Sequence, residues 1–165
     1  MADVNARPGG AAGGAASSDA RLAAIYQDII LDHYRRPRGK GALDAGVDAE
    51  VLAAERRNPL CGDEISLQLA LDGDTVREAR FTGQGCSISQ ASASMLTQAV
   101  RGRTRAEAEA LVRRFVALAH GDAEAAADPG MKELRALQGV ARFPARIRCA
   151  TLAWGALDDA LKGER

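Results

Sequence analysis

The chain has 165 residues, 22 basic and 22 acidic, two histidines and a formal net charge of zero, which suits one domain with a real core and leaves little for two. Without a net field, nucleic acid and anionic membranes are not expected partners. No apolar run is long enough to span a bilayer, and no cationic-then-apolar leader opens the chain, so the expected location is cytoplasmic.

Residues 1–18, rich in Ala, Gly and Ser, carry too little apolar surface to offset the entropy of ordering and read as a disordered tail. A single domain is expected over 19–165. Ser18 or Asp19 is placed to cap a helix whose Leu22, Ile25, Tyr26, Ile29 and Ile30 recur at helical spacing. Pro37, Gly39 and Gly41 end it. From Glu50 the period changes to two. Ile65, Leu67, Leu69 and Leu71 alternate with smaller or polar residues, "DGD" turns the chain, and Ala79 and Phe81 continue the pattern. This is a hairpin, with 49–57 as a third strand. Helical spacing returns from Ser89 to Gly102, and Thr104 with Glu107 forms a capping box for a helix bearing Leu111, Phe115 and Leu118. The stretch 121–142, with Asp-Pro-Gly at 128–130, reads as an insertion or mobile connection around a short helical run. Pro144 then opens a last helix, with Trp154 and Leu157 on its core stripe. The expected class is α+β, a small three-stranded antiparallel sheet with helices on one face.

Three cysteines stand far apart, at 61, 86 and 149, an odd number that does not form the disulfide framework of a small secreted domain. Each lies at an element boundary, in a loop or near a helix start, where a thiol is exposed and the helix dipole favours the thiolate. Gly62, Gly83 and Gly85 flank two of them and allow sharp turns. Three thiolates call for a fourth ligand in a tetrahedral zinc site, and Asp63, two residues after Cys61, is nearer in sequence than His33 or His120. Arg56, Arg57, Arg146 and Arg148 could offset the excess negative charge. Each residue also has a plain alternative: core packing for a cysteine, an Asx turn or cap for Asp63, a solvated helix end for either histidine, an ordinary surface for the arginines.

Four stretches, "ILDHYRRPRGKG", "NPLCGDEISL", "FTGQGCSISQASASMLTQAVRGR" and "FPARIRCATLAW", together resemble the SufU family, zinc-containing relatives of the IscU-type iron-sulfur scaffolds. The resemblance runs from about Ile25 to Leu161. It implies the IscU/SufU-like fold and a zinc ion held by Cys61, Asp63, Cys86 and Cys149. IscU-type scaffolds carry a histidine just before the third cysteine where this chain has Arg148, and the stretch between Cys86 and Cys149 is longer, as in SufU.

The resemblance further implies a zinc-dependent sulfurtransferase that takes persulfide sulfur from a PLP-dependent cysteine desulfurase of the SufS type and passes it towards an iron-sulfur scaffold complex. In that family reading a partner histidine replaces one cysteine on zinc. Cys61 and Arg146 are then the candidate catalytic residues, Cys61 as acceptor on its Pro/Gly-flanked loop and Arg146, one turn before Cys149, steadying the anionic sulfur. The alternative is an IscU-type scaffold that assembles clusters on the same thiolates.

Overall fold

Strand alternation and helical stripes build the architecture directly. The computed structural model describes residues 11–44 and 48–163, in the order α1 (Ala11–Arg35), β1 (Glu50–Asn58), β2 (Asp63–Asp72), β3 (Thr75–Gln84), α2 (Ser87–Val100), α3 (Arg105–Ala119), α4 (Ala123–Ala127), a 3₁₀ segment (Pro129–Arg142) and α5 (Pro144–Leu161). Residues 1–10 of the expected tail lie outside this range. Helix α1 begins at Ala11, so Ser18 and Asp19 lie within it and not at its N-terminus; alanine's helical propensity carries the helix upstream.

The sheet is antiparallel in the order β1-β2-β3, with Ala54 opposite Leu67 and Leu67 opposite Phe81. Alternation puts Ile65, Leu67, Leu69, Ala79 and Phe81 on one face, all buried, and α2 and α5 pack there. The opposite face carries ion pairs: Arg57 with Glu55 and Glu64, and Arg80 with Glu78. Helices on one face of an antiparallel sheet are what the alternation predicts.

Helix α2 is the central post. Its small residues Ala91, Ser92, Ala93 and Ser94 are fully buried, which lets α1 and α5 approach closely. Ser92 Oγ donates to the Ala150 carbonyl (2.6 Å) and accepts from Trp154 Nε1 (3.0 Å), while Trp154 stacks on Phe115 with ring centroids 4.4 Å apart. The capping box is present in full: Glu107 N–H donates to Thr104 Oγ1 and Thr104 N–H to the Glu107 carboxylate.

Two expectations are corrected. The stretch 121–142 is no mobile connection, because Met131, Leu134, Leu137 and Val140 are buried against the core. Nor is His33 a solvated helix end. It is 2 % exposed, with Nδ1 bonded to Ser94 Oγ (2.7 Å) and Nε2 to the Glu133 carboxylate (2.9 Å), so it ties α1 to α2 and to the 3₁₀ segment. His120, by contrast, caps α3 at the exposed surface.

Candidate metal centre

The β1–β2 connection sets the first thiol. The Asn58 carbonyl accepts from Cys61 N–H (3.3 Å) and Gly62 N–H (2.9 Å), and Asn58 Oδ1 accepts from Leu60 N–H (3.1 Å), an Asx turn. Gly62 completes it at φ +72°, a conformation other residues adopt at a cost. Cys61 is left exposed at the tip, and Asp63 starts β2 on the inward face, 2 % exposed. Asn58 did not stand out in the sequence as a site residue, although Asn-Pro is a turn-initiating pair.

Cys86 is the N-cap residue of α2, at the positive end of the helix dipole, and its side chain makes no capping hydrogen bond. Its N–H donates to Asp63 Oδ1 (3.1 Å) and its Sγ lies 3.5 Å from Asp63 Oδ2. The preceding Gly85 makes this approach possible. A Cβ there would lie 2.6 Å from Asp63 Oδ1 and 2.5 Å from Ser89 Oγ. Cys149, in the second turn of α5, is buried, and its Sγ lies 3.8 Å from Cys61 Sγ.

Cys61, Asp63 and Cys149 bring their ligand atoms within 4.8 Å of one another, and Cys86 joins through the Asp63 carboxylate. The donor set and spacings fit zinc. With Zn–S near 2.3 Å and Zn–O near 2.0 Å, a tetrahedron has S···S edges of about 3.8 Å and S···O edges of about 3.5 Å. Those are the Cys61–Cys149 and Cys86–Asp63 separations. Burial alone would push the Asp63 carboxyl up, but hydrogen bonds from the Cys61 and Cys149 thiols and from the Cys86 N–H and thiol hold it below the usual carboxylate range. The Cys149 thiol is pushed far up, by burial first and then by its hydrogen bonds with Cys86 and Asp63 and by charge on Cys86. Four acids so close ionise together only around a cation.

The arginines divide. Arg56 turns away to a bidentate pair with Asp159 (2.7 and 2.9 Å) and Arg57 lies on the outer face, so neither offsets charge at the thiols. Arg146 and Arg148 are exposed beside Cys61, Cys86 and Cys149 on a cleft of about 470 Å³. The Arg146 guanidinium stacks 4.4 Å over the Phe143 ring. Neither histidine joins the cluster.

Residues 25–163 match the family model of the NifU-like N-terminal domain. The chain belongs to that family. Among NifU-like relatives, it is 44 % identical over 149 residues to the zinc-dependent sulfurtransferase SufU of Bacillus subtilis, covering 90 % of this chain and 97 % of the relative. It is also 44 % identical to the iron-sulfur cluster assembly scaffold protein IscU of Streptococcus pyogenes, covering 86 % of each. Among solved structures, a candidate scaffold of the SUF system from Fervidobacterium islandicum superposes with a TM-score of 0.68 at 29 % identity, covering 81 % of this chain and 93 % of that one. The NifU-like fold thus accounts for the sheet, the helices and the corner where the thiols meet, and the protein resembles the SufU and IscU proteins of iron-sulfur assembly.

Proposed function

We propose that this protein is a zinc-dependent sulfurtransferase that accepts sulfur from a persulfide on a PLP-dependent cysteine desulfurase of the SufS type and hands it to an iron-sulfur scaffold complex. The observation that carries the reading is the exposed Cys61, set 3.8 Å from the buried Cys149 and close to Asp63. Cys61, Asp63, Cys86 and Cys149 hold the zinc. When bound, zinc keeps the cysteines deprotonated at neutral pH.

Cys61 and Cys86 are both exposed, and Cys61 is the acceptor because it stands on a turn that can move without unravelling a helix or strand, whereas Cys86 caps α2. Its thiolate attacks the outer sulfur of the donor persulfide. A new S–S bond forms on Cys61, the donor's own S–S bond breaks, and that electron pair leaves as the donor thiolate. Cys149 and Cys86 are fixed by α5 and α2, and Asp63 by β2, so these three keep the site assembled while Cys61 reacts. Arg146 and Arg148 give the cleft a positive wall for the anionic persulfide. Thiols as working groups suit the reducing cytoplasm.

A scaffold reading is favoured by one observation, the 44 % identity to the streptococcal IscU. Arg148, where IscU-type scaffolds carry histidine, weighs against it. The experiment is metal analysis of the purified protein, then alanine production from cysteine by a SufS-type desulfurase with and without it. One zinc per chain and a large rate increase are expected. Iron with labile sulfide in place of zinc would favour the scaffold.

A further inference from the structure

The thiol cleft does not end at the thiols. A second cleft of about 450 Å³ shares Gln27, Ile30, Ile88 and Arg146 with the first, so the two form one groove leading to Cys61. One wall is α1, from Leu22 through Tyr26 to Ile30. The other is the end of the 3₁₀ segment and the start of α5, with Arg142, Phe143 and Arg146. Along α1 the nine residues from Leu22 to Ile30, eight helical steps, span about 12 Å. Leu22 (43 %) and Phe143 (48 %) expose large apolar surfaces on opposite walls, and Leu60, 76 % exposed, stands beside Cys61 at the far end. Isolated exposed apolar residues need no explanation, but a row of them along one groove that opens on a reactive thiol does.

Resting on the sulfurtransferase reading, we propose that this groove seats the polypeptide segment of the sulfur donor that carries the persulfide, an extended stretch with apolar and acidic side chains. Two observations select that occupant. The outer sulfur of a persulfide lies only about 2 Å beyond the donor's own cysteine sulfur, so the donor backbone must itself run over the cleft at Cys61. From there the groove, with Leu22, Tyr26, Ile30 and Phe143 along it, is the path next to it. The wall opposite α1 carries the cations Arg142 and Arg146, with Arg148 at the thiol end, against one carboxylate, Asp19, at the far end of α1's wall, and this cationic excess matches acidic side chains and the persulfide's own charge.

The test uses full-length zinc-loaded protein, its Leu22→Glu and Arg142→Glu variants, and two sulfur donors, a persulfidated cysteine desulfurase and glutathione persulfide. Transfer to Cys61 is read by mass spectrometry, and zinc content and thermal melting confirm that each variant is folded. For the protein donor, each variant is expected to raise the half-saturating concentration about tenfold at an unchanged maximal rate. Rates with glutathione persulfide should not change. For Arg142→Glu the defect should shrink at high salt, because the lost attraction is screened there. Unchanged half-saturation with the protein donor in both variants would overturn the groove assignment, as would equal losses with both donors. If wild-type Cys61 takes sulfur from neither donor, the sulfurtransferase reading fails and the groove assignment with it; transfer to wild type with no variant effect sinks the groove alone.

Discussion

Cys61 Sγ and Cys149 Sγ lie 3.8 Å apart although 88 residues separate them, one on an exposed turn and the other buried in the second turn of α5. The pair joins the opening of the sheet to the last helix. The thiol and carboxylate cluster sits where these two elements and the N-terminus of α2 meet.

Metal-free protein should be sensitive to alkali. Burial, then hydrogen bonding with Cys86 and Asp63, raises the Cys149 thiol above its unfolded value, so the folded state prefers the proton. That stability is fully present below the unfolded pKa of about 8.5 and is lost as pH rises towards the folded value. Chelator-treated protein should melt at a constant temperature from neutral pH to about 8.5 and progressively lower above it. Zinc-loaded protein should instead weaken on acidification, as protons compete for the thiolates. Thermal melts across pH for both forms check the two signs.

Gly85→Ala should damage the metal site more than the fold. The added Cβ meets Asp63 Oδ1 at 2.6 Å and Ser89 Oγ at 2.5 Å, both on short side chains with little room to turn. Displacing them costs about 1–3 kcal/mol and moves a ligand. The expected outcome is zinc affinity reduced about tenfold or more, the scale of a disturbed ligand environment, while the far-ultraviolet circular dichroism stays unchanged. A competition titration with a chromogenic chelator measures it.

His33→Ala should destabilise without touching the thiols. The imidazole is 2 % exposed and bonded to Ser94 and Glu133, so its loss leaves a cavity and removes two cross-links between α1, α2 and the 3₁₀ segment. A cost of about 2–4 kcal/mol follows from the void together with Ser94 left short of a partner. Denaturant melts should record it, with zinc stoichiometry retained.

The hairpin and the capping box were legible because each is a local rule. Alternation from Ile65 to Leu71 marks a strand with one buried face, and Thr104 with Glu107 marks a helix start. The short helical run in 121–142 is legible in the sequence but its burial is not, because Met131, Leu134, Leu137 and Val140 recur every three residues, a 3₁₀ period that neither the α nor the β template matches. His33 reads from sequence as a solvated helix end because its partners lie 61 and 100 residues away and nothing in its neighbourhood announces them. At the site, the glycine-flanked cysteines and Asp63 could be picked out by chemistry, yet only the fold shows that Arg56 and Arg57 turn elsewhere.

The central claim is that Cys61 accepts the sulfur. The most direct measurement incubates the zinc-loaded protein with a persulfidated SufS-type desulfurase, blocks free thiols, and locates the added sulfur atom by peptide mass spectrometry, in wild type and in Cys61→Ser. The account predicts the extra sulfur on Cys61 in wild type and no transfer in the variant, whose circular dichroism remains native. Sulfur found on Cys86 or Cys149, or undiminished transfer to Cys61→Ser, would contradict it.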